Sequence, residues 1–283
     1  MMNDERGKVK GMFGKLRKKT ETTEVLRKFL FVSVISAFFC NMATAQDSVV
    51  RVEVPNGPVL DMVYVEGGMF TMGSEESKGV ANHYEATRPE HEVEVGAFYM
   101  GRYEVTQELW SAVMGENGST FRGSGQLPVE SITWTQAQEF CMLLSQMTGR
   151  RFRLPTEAEW EFAARAGKDY AFAGCERNGL DSCAWYCVNS EGRTHAVGSL
   201  KPNALGLYDM SGNVAEWCGD WMGDYTEARQ SNPRGPQTGD SRIVRGGHYY
   251  STSSSCAVFD RGWYVPTAKT EYYGLRLVME IDK

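Results

Sequence analysis

The sequence predicts an α+β domain with few helices, short strands and long ordered loops. Three amphipathic helices with clear start signals fall between residues 106 and 167. Short alternating apolar runs stand before and after them. Between residues 168 and 242 the helical period disappears, and Gly, Asn, Asp and Ser dominate. So much loop inside one domain is unusual unless a ligand or a function holds it in place. Thirty glycines and seven tryptophans among 283 residues fit the same turn-rich, aromatic-anchored picture.

The start of the chain reads as a targeting signal. Arg27 and Lys28 precede the apolar run 29–40 (FLFVSVISAFFC), and Ala43-Thr44-Ala45 follows ahead of Gln46. A basic region, a short apolar core and a small-residue cleavage pattern describe a secretory signal peptide over residues 1–45. The run is too short for a comfortable membrane span, so membrane attachment would come only through an uncleaved N-terminal segment. Export to the periplasm, cell envelope or medium is the expectation, and disulfides are allowed there.

Charge follows the same division. Residues 1–45 hold nine Lys/Arg and four Asp/Glu, so a chain of net charge −6 leaves −11 on the remainder. A domain this acidic excludes nucleic acid as a natural partner, because phosphate binding needs a basic surface. It suits a cation such as calcium better.

Residues 46–60 read as a short acidic, Pro-containing lead-in, with the domain over 61–283. The first structured piece is Met62-Val63-Tyr64-Val65, then Gly67-Gly68, then Met69-Phe70-Thr71-Met72, which predicts a β-hairpin around a Gly-Gly turn. Residues 74–90 are polar and read as a loop, and His91 to Val95 alternates as a strand. Thr106 opens the first helix, with Leu109, Trp110 and Val113 inward and Gly115 as its stop. Thr133 and Gln136 form a capping box for the second, with Ala137, Phe140, Cys141 and Leu144 on one face and Gly149 at its end. Thr156 and Glu159 cap the third, with Trp160, Ala163 and Ala164 inward and Gly167 closing it. Ile243-Val244-Arg245 and the run from Gly274 to Met279 read as the closing strands.

Six motifs in order carry a resemblance. They are Phe70-Thr71-Met72-Gly73; Tyr103-Glu104-Val105-Thr106-Gln107; Arg153-Leu154-Pro155-Thr156-Glu157-Ala158-Glu159-Trp160; Gly206-Leu207-Tyr208-Asp209-Met210-Ser211-Gly212-Asn213-Val214 with Glu216-Trp217; Arg245-Gly246-Gly247; and Gly274-Leu275-Arg276. Together the chain resembles the formylglycine-generating enzyme (sulfatase-modifying factor) family from about Met62 to Met279. The resemblance implies a C-type-lectin-like fold of low regular secondary structure and calcium sites. In active members it also implies copper- and oxygen-dependent oxidation of a sulfatase cysteine to formylglycine. Fold alone does not establish that chemistry.

The site residues implied by the resemblance depart from the active pattern. Active members carry two cysteines just after a Gly-Gly-Ser turn. Here the stretch reads Gly246-Gly247-His248-Tyr249-Tyr250-Ser251-Thr252-Ser253-Ser254-Ser255-Cys256. Cys256 matches the second cysteine and is the catalytic residue if the chain is active. Ser251 replaces the first, His248 the motif's serine and Ser255 its second tyrosine. Two thiolates hold Cu(I) because soft sulfur suits that ion, and a hydroxyl does not. Copper is therefore not expected, and Cys256 reads otherwise as a buried small side chain or a disulfide partner. For calcium the resemblance points to Asn213, Val214 through its carbonyl, and Glu216, with Ala215 standing where the family has a large aromatic.

The remaining signals are negative or open. The four histidines, His83, His91, His195 and His248, show no ligand spacing, and no P-loop or Gly-x-Ser-x-Gly elbow is present. Cleavage leaves six cysteines: Cys141, Cys175, Cys183, Cys187, Cys218 and Cys256. Six allow fifteen full pairings. The close set Cys175, Cys183 and Cys187 suggests a local bridge, since its spacing is not that of a zinc ribbon. The expectation is a non-catalytic exported protein that binds a protein, peptide or glycan on its loop surface. A working formylglycine-generating oxidase is the alternative.

Overall fold

The computed structural model describes residues 48–75 and 84–281. The segment read as a signal peptide, including its cleavage point, and His83 lie outside the described residues.

The first strand falls inside the stretch read as a lead-in. β1 (Val49–Val52) pairs antiparallel with β2 (Leu60–Val65), Val52 opposite Leu60. Val52 and Val54 are buried, so the folded unit begins at about residue 49 and not at 61. The acidic flanks hid a short alternating pattern there.

The predicted hairpin is not formed. β2 and β3 (Gly68–Met72) belong to different sheets. β3 pairs instead with β4 (His91–Val95), and β2 with β5 (Phe98–Gly101). Alternation identified both strands but not their partners. The Gly67-Gly68 pair turns a corner between sheets, with φ 78° and 143°. A Cβ on Gly67 would stand 2.4 Å from the Val95 carbonyl oxygen, so a side chain there cannot be accommodated.

The three helices start where the sequence placed them. Thr106 caps α1 (Gln107–Met114), its hydroxyl accepting from Leu109 N–H, and Gly115 ends it with φ 78°. Thr133 and Gln136 form a reciprocal capping box on α2 (Trp134–Thr148). Ala137, Phe140, Cys141 and Leu144 are its buried stripe, and Phe140 stacks on Trp110 of α1 at 5.1 Å. Burying Phe140 and Leu144 contributes about 1.5–3 kcal/mol each. Thr156 and Glu159 form a second capping box on α3 (Glu157–Arg165). α3 differs from the others because nearly every residue is buried, Glu157, Glu159 and Glu161 included. It is ended by Ala166 in the left-handed region, one residue before the glycine expected to do so.

The remaining strands are short: β6 (Phe152–Arg153), β7 (Ala215–Trp221), β8 (Gln230–Ser231), β9 (Arg242–Arg245), β10 (Gly262–Tyr264), β11 (Tyr273–Gly274) and β12 (Val278–Met279). Among the described residues they form a five-stranded sheet β1-β2-β5-β12-β6, a four-stranded sheet β10-β9-β7-β11 and a three-stranded sheet β3-β4-β8. The single closing strand expected from Gly274 to Met279 is thus two strands in two sheets, with buried Leu275, Arg276 and Leu277 between them. β7 lies where the sequence suggested a cation-binding loop.

Two apolar clusters fill the interior. One gathers Met72, Phe98, Trp160, Leu207, Cys218, Cys256 and Val258. The other gathers Met62, Trp110, Phe140, Leu144, Trp217 and Leu275. Buried charge occurs in pairs. Arg261 meets both oxygens of Glu157 at 2.7 and 2.8 Å, and Arg245 pairs with Glu161. A buried charge without such a partner would cost several kcal/mol, so α3 with its acidic residues needs these arginines. Cys175 and Cys183 form a disulfide with Cα atoms 6.3 Å apart, while Cys141, Cys187, Cys218 and Cys256 are free thiols. The local bridge expected in that loop is present, and its cysteines are the first two of the three.

Candidate functional site

The chain leaves β9 through Gly246 and Gly247, with φ 95° and 69°. A Cβ on Gly247 would lie 2.5 Å from the Ser255 carbonyl oxygen and 3.0 Å from the Cys256 sulfur. The turn therefore packs directly on the segment that carries Cys256. Neighbouring loops clamp the rest. Tyr249 N–H donates to the Asn213 carbonyl at 2.8 Å, Ser190 Oγ to the Tyr249 carbonyl at 2.7 Å, and Ser211 Oγ to the Cys256 carbonyl at 2.8 Å. Cys187 N–H donates to the Ser251 carbonyl at 3.0 Å. The long loops between residues 168 and 214 are held by this segment, which accounts for ordered structure without regular elements.

Ser251 is spent on the turn. Its hydroxyl accepts from His248 N–H at 3.0 Å, and its own N–H donates to the His248 carbonyl at 2.8 Å. Cys256 sits behind it, fully buried. Burial pushes its thiol well above the usual range, and Asp260 and Cys187 push the same way. Burial lowers His248 to about 4, so its imidazole is neutral at pH 7. A hydroxyl engaged in a turn beside a protonated, buried thiol does not fit Cu(I), which needs two thiolates.

Beside this turn is a cavity of about 80 Å³ lined by His248, Ser251, Ser255, Asp260, Tyr264 and Tyr273 among others. Burial raises the Asp260 carboxyl to about 7, against the opposing pull of Arg245, and its Oδ1 has no hydrogen-bond partner among the described residues. Aromatic rings rim the cavity. His248 stacks on Tyr272 at 4.3 Å, and Tyr264 lies 4.5 Å from Tyr273. Tyr264, which lines the cavity, remains 43% exposed, and Tyr250, two residues beyond His248, 64%. Sequence reasoning missed this rim because its tyrosines are scattered over 249–273. It also missed Asp260, which reads as an ordinary loop residue, and it placed Cys187 only in a local cysteine set, not beside this turn.

The three residues named for calcium are brought together, and the side chains of Asn213 and Glu216 are engaged by other protein groups. Asn213 Oδ1 accepts from His195 N–H at 2.9 Å, and its amide donates to Glu104 Oε2 at 2.6 Å. Val214 N–H donates to Glu104 Oε1 at 3.0 Å. Glu216 is engaged by Arg276 at 2.6–3.0 Å and by the Trp160 indole N–H at 2.7 Å. A guanidinium thus occupies the place where a cation would bind the carboxylate, and the arrangement does not fit a calcium ion. Sequence reasoning missed the contacts of two residues, Glu104 and Arg276, whose motifs were visible. Glu104 is held well above the usual carboxylate range by burial and by neighbouring Asp209 and Glu216. Burial likewise raises Asp209 to about 6.

Residues 48–281 match the family model described as the sulfatase-modifying factor enzyme 1-like domain. The chain belongs to this family. It is similar to "Chaperone protein LppX" of Paenibacillus barcinonensis, 31% identical over 77% of this chain and 89% of that one. It is also similar to the formylglycine-generating enzyme of Streptomyces coelicolor, 34% identical over 58% of this chain and 56% of the enzyme. Other curated relatives are spanned over as little as 37% of their length. Among solved structures, Treponema denticola variable protein 1 superposes with a TM-score of 0.77 at 32% identity, covering 82% of this chain and 99% of that one. The sheets, few helices and long ordered loops are those of the family's C-type-lectin-like fold.

Proposed function

We propose that this family member is an exported, non-catalytic binding module of the cell envelope, and that its ligand is a polypeptide. The observation that carries the reading is Ser251, whose hydroxyl closes a turn where oxidase chemistry needs a second thiolate. The exposed tyrosines beside it support a binding role, because Tyr offers a large rigid contact area with a polar tip. The relative named a chaperone, which matches over most of both chains, favours a polypeptide over a glycan. The second reading, oxidation of a sulfatase cysteine to formylglycine, is favoured by retained Cys256 and by relatives that carry that name.

One experiment separates the two. A C-x-P-x-R peptide is incubated with the full chain, copper and oxygen, and its mass is followed. No conversion is expected. Conversion that disappears in Cys256→Ala would establish the oxidase reading instead. Binding is read separately, by titrating unfolded client polypeptides onto the protein and onto a Tyr250→Ala, Tyr264→Ala variant. A several-fold weaker affinity in the variant is expected, and equal affinity would remove the rim from the interface.

A further inference from the structure

Four thiols are free among the described residues, and two of them come from distant parts of the chain to one place. Cys187 N–H holds the Ser251 carbonyl at 3.0 Å. Cys256 closes the short 3-10 turn Ser253–Cys256 that follows Ser251. Tyr186, next to Cys187, packs in the same apolar cluster as Cys256. Cys187 pushes the Cys256 thiol up, and both cysteines push the Tyr186 hydroxyl up. Neither Cys141 nor Cys218 has a cysteine among the groups acting on it.

Their exposures differ in a useful way. Cys187 is exposed and Cys256 is fully buried. An accessible thiol beside an inaccessible one is the division of labour that thiol–disulfide exchange requires, because one sulfur must meet the incoming disulfide and the other must resolve it.

We propose that Cys187 and Cys256 form a dithiol–disulfide exchange site that takes an accessible disulfide as its oxidant. The Cys187 thiolate attacks one sulfur of R–S–S–R, releasing RS⁻ and leaving Cys187 in a mixed disulfide. Cys256, losing its proton to solvent or to the released thiolate, attacks the Cys187 sulfur and releases the second RS⁻. The net change is two protein thiols and one R–S–S–R going to one protein disulfide and two R–SH, with two electrons passing to the oxidant. The site is independent of the binding role proposed above and survives if that reading fails. Cys175 and Cys183 are already bonded to each other and take no part.

The test uses the full chain and glutathione disulfide as the probe. After incubation, remaining thiols are alkylated and a non-reducing digest is analysed by mass spectrometry. A peptide pair joined through Cys187 and Cys256 is expected, with Cys141 and Cys218 alkylated only after unfolding. Cys256→Ser should stop the reaction halfway and accumulate one glutathione on Cys187. Cys187→Ser, a change at an exposed position that leaves the core intact, should slow oxidation of Cys256 at least about tenfold, because a buried thiol reacts poorly by itself. A stable glutathione adduct on Cys187 in the unmodified chain with Cys256 still free would overturn the proposal. So would oxidation of Cys256 at an unchanged rate in Cys187→Ser.

Discussion

Arg276 grips both carboxylate oxygens of Glu216, with contacts of 2.6–3.0 Å, and neither side chain reaches solvent. The pair joins the Gly274-Leu275-Arg276 motif to strand β7, and Trp160 of α3 donates to the same carboxylate. One ion pair thus ties three motifs that are far apart in sequence. Removing one partner of a buried pair leaves the other charge uncompensated, which costs about 3–5 kcal/mol. Glu216→Gln should lower stability by that order, read as a drop in the urea midpoint at unchanged m value. A change below about 1 kcal/mol would show that the pair is not what holds these motifs together.

The same contact bears on calcium binding. With Arg276 against Glu216 and Glu104 bonded to Asn213 and Val214, a calcium ion would have to displace a buried guanidinium. A ligand held only by the folded state raises its stability by about 2.7 kcal/mol at one hundred times its Kd. Chelation should therefore leave the melting temperature unchanged. A fall on adding chelator, restored by calcium and lost in Asn213→Ala, would show that the loop rearranges to take the ion.

Local signals were legible wherever the chain carries its own instructions. Thr106, Thr133 and Thr156 each cap a helix as expected, the latter two by the capping-box spacing to Gln136 and Glu159. Partnership was not legible. Nothing in Met62–Val65 or Met69–Met72 says that the two runs enter different sheets, because alternation specifies a strand's face and not its neighbour. The site shows the same division. Ser251 against Cys256 was readable from one motif, but the nearness of Cys187 depends on a backbone hydrogen bond spanning 64 residues. Glu216 was read as an oxygen donor because its partner, Arg276, lies in a different motif.

Buried acids set the pH response. Burial raises Asp220 to about 7, and Glu157 adds to the effect. Its folded value therefore lies above its unfolded value of about 4. Between those two values the folded state keeps a proton that the unfolded state has lost, so stability falls as pH rises from about 4 to 7 and then levels. One group contributes at most about 1.4 kcal/mol per pH unit. Glu157 works in the opposite sense. Burial raises it, but Arg261 and Arg245 more than offset this and hold it low, so its contribution is lost as pH falls through that lowered value. Asp220→Asn keeps a carbonyl oxygen for the Glu157 N–H, which Asp220 Oδ2 now accepts at 3.0 Å. It should flatten the decline between pH 4 and 7 in urea titrations. An unchanged slope would assign the decline to the other buried carboxyls raised by burial, Glu104, Glu130, Asp209 and Asp260.

Rebuilding the thiol pair tests the reading of Ser251 directly. The hydroxyl now accepts from His248 N–H at 3.0 Å, a neutral bond whose net worth is about 1 kcal/mol. Ser251→Cys should weaken that turn slightly and leave the fold intact, because the position is nearly buried and the change in size is small. Made in a Cys187→Ser background, it presents only the new thiol and Cys256. Two thiolates suit Cu(I) where one does not. Competition against a Cu(I) chelator should therefore show binding at least about tenfold tighter than in the background chain, which is a difference of about 1.4 kcal/mol. Peptide oxidation need not return with it, since that also requires a substrate thiol held beside the bound ion. If the background chain binds Cu(I) as tightly as the variant, Ser251 is not the reason for weak copper binding, and the non-catalytic reading loses its main support.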